Sequence, residues 1–317
     1  MPSRQTQSYL RNLFARRGIA PRHRFGQNFL IDLNIHELIV NAAGVGPEDV
    51  VLEVGPGAGA LTALMAEQAS AAVAVEIDPA MARLTAEATS GRPNVRIIEA
   101  DALAGKNRLN PVVLDSVRAG LAVSPDRRLK LVANLPYNVA TPIVTNLLVH
   151  PELCPSLMVV TIQLELAERM RAAPASAAYG ALSVLVQALA DFEIVRVLKP
   201  KVFWPRPQVD SAVIKLTPSP ERRAAIADLP WFHSVVRKVF LHRRKVLRRV
   251  VGALWRDALT QAEVDELLAG LGLDPQIRAE ALNVDEFRTL ATALRERLET
   301  APTTPDDDTG EERPIDV

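Results

Sequence analysis

The sequence predicts an α/β fold: a doubly wound, mostly parallel sheet of seven strands with an antiparallel hairpin at one edge, followed by a small all-α domain. Three observations carry this. Short β-branched runs alternate with helical patterns through the first two thirds of the chain, the signature of strands joined by crossover helices. One of those runs stops at a glycine-rich turn that leads straight into a helix. Beyond Pro218-Ser219-Pro220 no strand-like run occurs.

The elements follow in order. Val50–Val54 is a strand that ends at Gly55-Pro56-Gly57-Ala58-Gly59, and a helical pattern runs from Ala60 to Gln68. Ala71–Ile77 is the next strand. Pro79–Ala88 is a helix, because Asp78 is placed to cap it and Pro79 suits its first position. Val95–Ile98, Leu129–Ala133 and Leu157–Ile162 are three further strands. Ile194–Leu198 and Ala212–Leu216 have strand character with no helix between them, so an antiparallel pair at a sheet edge is expected. The connection 104–128 is long and broken by Pro111, Gly120 and Pro125. It reads as a surface excursion holding one helix near Val112–Ala119. Past Pro220, Phe232, Val235, Val236, Val239 and Phe240 recur at helical spacing, as do Val246, Leu247, Val250, Val251 and Leu254. Ala262–Leu268 and Val284–Leu298 are further helices.

Composition narrows the class of function. The chain has 317 residues, 48% hydrophobic and 23% charged, enough apolar material for a sizeable core. No apolar run is long enough for a transmembrane helix, and the basic N-terminus lacks the apolar segment of a secretory signal. A single cysteine, Cys154, can form no internal disulfide, so a reducing cytoplasm is expected. The five histidines show no metal-ligand spacing, and no metal is expected. The net charge of zero hides an uneven distribution. Residues 302–317 hold six acids against Arg313, a net of −5, which leaves +5 on the remainder. Residues 1–25 contain six arginines and no acid, and residues 237–256 contain eight Lys or Arg and no acid. Two such blocks on a folded body point to a polyanion partner.

The glycine-rich turn carries the first sign of chemistry. Glycines there let the backbone turn tightly and approach a ligand, with a helix N-terminus behind. Glu76 ends the next strand, 21 residues after Gly55, where a carboxylate accepts hydrogen bonds from ribose hydroxyls. Asp101 follows the third strand, so Glu53, Glu76 and Asp101 all lie at carboxyl ends of strands, where open parallel sheets bind ligands. A nucleoside cofactor is implied. Gly55-x-Gly57-x-x-Ala60 also fits a loosened dinucleotide fingerprint, so the turn alone leaves a nicotinamide nucleotide and S-adenosylmethionine both open.

The fourth strand chooses between them. It runs into Asn134-Leu135-Pro136-Tyr137-Asn138. A carboxamide oxygen at Asn134 and a backbone carbonyl at Leu135 or Pro136 can each accept one hydrogen of an exocyclic amine, and Tyr137 can stack on the ring that bears it. A dehydrogenase has no use for this arrangement. The segment resembles the Asn/Asp-Pro-Pro-Tyr/Phe signature of adenine amino-methyltransferases.

With these pieces in view, the chain resembles the ribosomal RNA adenine dimethyltransferase family over about residues 20–298. The matching segments are Phe25-Gly26-Gln27-Asn28-Phe29-Leu30, Glu53–Thr62, Glu76-Ile77-Asp78, Asp101-Ala102-Leu103, Asn134–Asn138, Ala178-Tyr179-Gly180, Phe203–Ala212, Arg243-Arg244-Lys245 and Arg278-Ala279-Glu280. It departs from the family pattern at Gln163-Leu164-Glu165 and Ala181, and its 104–128 segment is longer.

The resemblance implies S-adenosylmethionine as cofactor, a seven-stranded methyltransferase sheet, and dimethylation of two adjacent adenines near the 3′ end of small-subunit rRNA within a pre-30S particle. A monomer is expected. Carried over by position, Asn28 and Leu30 would close over the cofactor. Gly55 and Gly57 would meet its methionine part, Glu76 its ribose and Asp101 its adenine. Asn134 would face both cofactor and target amine beside Pro136. Tyr137, with Phe203 opposite, would sandwich the extruded adenine, although Phe203 also reads as ordinary core. Lys238, Arg243, Arg244, Lys245, Arg248 and Arg249 would grip RNA phosphates. The expected organisation is a basic extension over 1–24, the methyltransferase domain over 25–219, a helical RNA-binding domain over 220–300 and a disordered acidic tail over 301–317. Two other readings share these features: a large-subunit rRNA adenine methyltransferase, and a ribosome-assembly or transcription factor that keeps the fold.

Overall fold

A computed structural model of the chain describes residues 6–22, 25–105 and 108–300. The acidic tail lies outside the described residues. The chain begins with helix α1 (Gln7–Arg17) and the short strand β1 (Phe29–Leu30), then α2 (Leu33–Ala43), β2 (Asp49–Val54), α3 (Ala60–Met65), β3 (Ala71–Glu76), α4 (Pro79–Ala88) and β4 (Val95–Glu99). It continues through α5 (Pro111–Leu121), β5 (Arg128–Asn134), α6 (Ala140–Val149), β6 (Leu157–Gln163), α7 (Leu164–Met170), α8 (Ala181–Leu189), β7 (Ala190–Leu198), β8 (Phe203–Trp204) and β9 (Ser211–Pro218). Five helices follow: α9 (Pro220–Ala224), α10 (Leu229–Phe240), α11 (Leu247–Leu254), α12 (Gln261–Gly270) and α13 (Val284–Thr300).

The main sheet has seven strands in the order β4-β3-β2-β5-β6-β9-β7. The first five are parallel, and β9 runs antiparallel to both β6 and β7. The edge pair expected from the sequence is therefore present, with its later strand inserted between β6 and β7. The central strands are buried on both faces, as β2 and β5 show, which explains why they read as continuous apolar runs. Asp78 caps α4 by accepting from the Ala80 N–H at 3.0 Å, with Pro79 at the first helical position. The excursion after β4 carries one helix, α5, capped by Asn110.

A separate two-stranded pairing, Phe29↔Trp204 and Leu30↔Phe203, ties β1 to β8 antiparallel. Strands of two residues show no periodicity, so the sequence does not announce them. Behind β1 sits α1, which buries Leu10 and Phe14 against Phe29, Ala58, Met81 and Leu84. Phe14 meets Phe29 edge-on with ring centroids 5.2 Å apart and meets Trp204 at 5.4 Å.

At the amino ends of the strands, the buried Lys130 ammonium lies 2.7 Å from the Asp49 carboxylate. It also donates to the carbonyls of Ala43 and Gly44 at 2.9 and 2.7 Å, capping the end of α2. On the other side of the molecule the helices α10–α13 continue one apolar cluster with the sheet. Tyr179, fully buried, donates its hydroxyl to the Leu282 carbonyl at 2.8 Å, and Phe240 stacks on Phe287 at 5.2 Å. Among the described residues no helix is long and apolar enough to cross a membrane.

Candidate active site

A cavity of about 330 Å³ opens at the carboxyl ends of β2, β3 and β5. One wall is the segment Phe25–Leu30, a strap laid across the opening by the β1–β8 pairing. Gln27 anchors it, accepting from the Arg22 N–H at 2.8 Å and donating to Asp78 at 3.1 Å.

The glycine turn forms the floor. Gly55 and Gly57 have φ of 75° and 59°, the left-handed region where a side chain is strained. Space is short as well. A Cβ on Gly55 would come within 2.9 Å of the Pro136 ring, and one on Gly57 within 3.0 Å of the Phe29 ring. The turn is therefore clamped between the β5 motif and the strap.

The acids sit where their strands end. Glu76 is buried, accepting from the Asp78 N–H at 2.9 Å and the Gly57 N–H at 3.2 Å. Burial raises its pKa to about 7, with the backbone donors opposing. Glu53 is only 2% exposed and accepts from the Thr62 hydroxyl at 2.5 Å. Burial pushes it to about 8, Thr62 opposes, and the charge of Glu76 adds to the rise. Asp101 stands exposed at the rim, accepting from the Leu103 N–H at 2.9 Å.

Asn134 is the last residue of β5. Its Nδ2 donates to the Asn28 carbonyl of the strap at 2.9 Å. That bond assigns the two amide atoms, because a carbonyl partner demands the amide nitrogen and leaves Oδ1 as the acceptor of a side chain that lines the cavity. Tyr137 is half-buried at the wall, its hydroxyl 2.7 Å from that of Ser211, and burial pushes its phenol up. The cavity thus brings together Asn28, Leu30, Gly55, Gly57, Glu76, Asp101, Asn134, Pro136 and Tyr137.

One expectation is corrected, and one basic residue is found engaged. Phe203 does not reach the cavity. Its ring is 2% exposed and packs with Leu30, Ile35, Leu198 and Val213, because its pairing with Leu30 turns it into the core beneath the strap. Arg248 is already paired. It pairs through two N–H groups with Asp265, the Nη2–Oδ2 contact being 2.6 Å. The other basic residues differ in their roles. Arg243 reaches back to the Ala177 and Tyr179 carbonyls at 3.3 and 3.4 Å, and the Lys238 ammonium lies 6.0 Å over the Trp255 ring. Arg244, Lys245 and Arg249 are exposed, and no carboxylate among the described residues pairs with them.

Polar cavity residues to which the sequence assigns no individual role include Gln27, Glu53, Asn138 and His36. Glu53 had a usable signal, an acid at a strand end two residues before the turn. His36 had a fainter one, a polar residue on a helix face otherwise made of Ile35, Ile39, Val40 and Ala43.

The site fits a nucleoside cofactor on its own geometry. Glu76 keeps acceptor capacity beyond its two backbone donors, and the turn borders the cavity at two glycines that leave no room for a Cβ. Comparison with known proteins gives the family. The family model described as "Ribosomal RNA adenine dimethylase" matches residues 19–295. The chain is 40% identical over 286 residues to the ribosomal RNA small subunit methyltransferase A of Moorella thermoacetica, covering 89% of this chain and 96% of that one. It is 41% identical over 288 residues to the protein of that name from Pelotomaculum thermopropionicum, covering 90% and 95%. Among solved structures, a dimethyladenosine transferase from Plasmodium falciparum superposes with a TM-score of 0.68 at 22% identity, over 84% of this chain and 97% of that one. The 23S rRNA methyltransferase ErmE gives 0.56 at 26% identity, over 86% and 100%.

Proposed function

The chain belongs to the ribosomal RNA adenine dimethylase family, and from that membership we propose that it dimethylates the exocyclic amines of two adjacent adenines near the 3′ end of small-subunit rRNA during ribosome biogenesis. S-adenosylmethionine is the methyl donor, and when bound it supplies an already activated methyl on a sulfonium. The observation that supports the reading at the level of chemistry is the amide of Asn134: its Nδ2 is spent on the Asn28 carbonyl, which leaves Oδ1 as the acceptor of a side chain lining a cavity that Glu76 and the glycine turn also border.

The roles follow from the groups present. Glu76 accepts from the ribose hydroxyls, and Asp101 at the rim takes the cofactor adenine. Gly55 and Gly57 admit the methionine part against bare backbone, with Asn28 and Leu30 closing over it. The target amine is a poor nucleophile because its lone pair is delocalised into the ring. Asn134 Oδ1 accepts one amine hydrogen and a neighbouring carbonyl accepts the other. The Pro136 carbonyl already takes the Val139 N–H at 3.1 Å, which favours Leu135 as that neighbour. Held by two acceptors, the nitrogen can rehybridise toward the methyl group. Tyr137 stacks on the base, which must leave its helix or start unpaired to enter. Alignment and exclusion of water supply the rate.

In the same reading, residues 25–219 carry the chemistry and 220–300 the grip on RNA, through Lys238, Arg244, Lys245 and Arg249. Arg243 braces the segment that presents them. The protein works as a cytoplasmic monomer on a pre-30S particle. The test is mass spectrometry of rRNA after incubating the protein and labelled S-adenosylmethionine with unmethylated 30S particles. Two neighbouring dimethyladenosines near the 3′ end are expected. Label confined to large-subunit rRNA, when 50S particles are supplied instead, would replace this reading with the large-subunit one. No label on either would favour an assembly factor.

A further inference from the structure

Tyr137 is half-buried in the cavity wall, and its hydroxyl lies 2.7 Å from that of Ser211. Stacking on a base uses the face of a ring and does not require the phenol oxygen. Carried into a wall, that oxygen costs desolvation unless it finds a partner. Phenylalanine would stack without that cost. The partner is Ser211, which is fully buried and whose Oγ has no other hydrogen-bond partner among the described residues. The Phe203–Ala212 segment thus reaches the site through Ser211, whereas Phe203 is turned into the core.

Both ends of the pair are anchored. Ser211 opens β9, in register with Gln163 of β6 on one side and Leu198 of β7 on the other. The residue before it is tied as well. The Asp210 carboxylate pairs with the Lys199 ammonium at 2.7 Å, and the Asp210 carbonyl accepts from the Leu164 N–H at 3.0 Å. Tyr137 stands in the turn after β5. There the Leu135 N–H donates to the Thr161 carbonyl at 3.2 Å and the Val139 N–H to the Pro136 carbonyl at 3.1 Å. A tyrosine oxygen lies on the long axis of its ring. With Cα held by the turn and Oη held by β9, that axis keeps one direction and the side chain keeps one χ1 rotamer. Conjugation holds the phenol's hydrogen and acceptor directions near the ring plane, so the bond also resists rotation about the axis.

We propose that Ser211 is a positioning residue for methyl transfer: by holding the Tyr137 phenol it fixes the ring on which the target adenine stacks. The assignment rests on the reading of Tyr137 given above. It is tested with the full chain on unmethylated 30S particles, using Ser211→Ala, Tyr137→Phe and the double variant. With labelled S-adenosylmethionine and particle saturating, each single variant should slow single-turnover transfer by about three- to tenfold, the loss of one net hydrogen bond. The double variant should be no slower than the slower single one, because both substitutions delete the same bond. The half-saturating particle concentration, and the S-adenosylhomocysteine affinity by calorimetry, should stay within about twofold of wild type, which puts the loss in the transfer step. An unchanged rate in either folded single variant, or losses that multiply in the double one, overturns the tether. So does a rate loss matched by an equal loss of S-adenosylhomocysteine affinity, which marks general damage to the cavity. A lowered Tm with wild-type transfer overturns it too, leaving Ser211 a structural contact. If Ser211→Ala does not fold, Tyr137→Phe breaks the same bond from the half-buried side and decides alone. Should the wild-type protein methylate neither 30S nor 50S particles, the methyltransferase reading falls and this assignment with it. Where the wild type methylates, the variants bear on Ser211 and Tyr137 alone.

Discussion

Replacing Asn134 by alanine separates alignment from binding. The substitution removes two things: the Oδ1 acceptor and the Nδ2 bond to the Asn28 carbonyl at 2.9 Å. The second loss loosens one tie of the strap. A net hydrogen bond of this kind contributes about 0.5–1.5 kcal/mol, so S-adenosylhomocysteine affinity should fall by no more than about tenfold. The first loss is felt only as the amine rehybridises. Deleting one preorganised polar partner of a developing charge costs about 2.7–4 kcal/mol in comparable sites, or about 10²–10³ in rate. Single-turnover methyl transfer to 30S particles, with cofactor and particle saturating, reads the chemical step directly. Equilibrium titration with S-adenosylhomocysteine reads the strap. A slowed step with near-normal affinity is expected. Wild-type turnover in a folded Asn134→Ala protein would refute the acceptor role, and a large loss of affinity with unchanged turnover would reduce Asn134 to a fastener for the strap.

Three further outcomes follow. Lys130→Met takes the nearest cation from buried Asp49, leaving it Arg128 at 3.6 Å and the Gly46 N–H at 2.8 Å, and uncaps α2; breaking such a buried pair costs about 3–5 kcal/mol, and differential scanning calorimetry should show Tm lowered by about 10 °C. Glu53 and Glu76 have folded pKa values of about 8 and about 7, raised from 4.5. The folded chain therefore binds more protons than the unfolded one up to about pH 8, and stability must fall as pH rises through that range. His36 titrates at about 4 folded and 6.5 unfolded, so its opposite effect is confined below 6.5. Between about pH 6.5 and 8 the Tm of the ligand-free protein should decline, and Glu53→Gln should flatten the decline; an equal slope in the variant would remove Glu53 as its source. Finally, joint neutralisation of Arg244, Lys245 and Arg249 should reduce the log–log salt slope of RNA binding by about 2–3, whereas Arg248→Gln, already committed to Asp265, should leave the slope unchanged.

Much of the sheet was legible because its central strands are buried on both faces and stand out as β-branched runs, and because Asp78-Pro79 marks a helix start by chemistry alone. Much of the cavity lining was legible for a related reason. Glycines, strand-end acids and the Asn134–Tyr137 motif each place a functional group by local backbone rules. What escaped depends on distant partners. Nothing near Phe203 says whether its ring faces the cavity or the core; its pairing with Leu30, far away in the chain, decides that. Arg248 looked like its neighbours because its acid, Asp265, lies outside the basic block. Helix α1 read as a basic extension, since only Leu10 and Phe14 on it are buried and their partners come from three other segments.

The orienting contact of Asn134 is with a main-chain oxygen, and every amino acid carries one. A saturation scan of position 28 would therefore be blind to it, reporting only on what the Asn28 side chain does. The aim of the carboxamide is inherited instead from where the strap's backbone rests, and that is set by the rings of Phe14, Phe29 and Trp204 on its far side. Damage to this aromatic bedding should surface as sluggish enzymes in which every pocket side chain is intact.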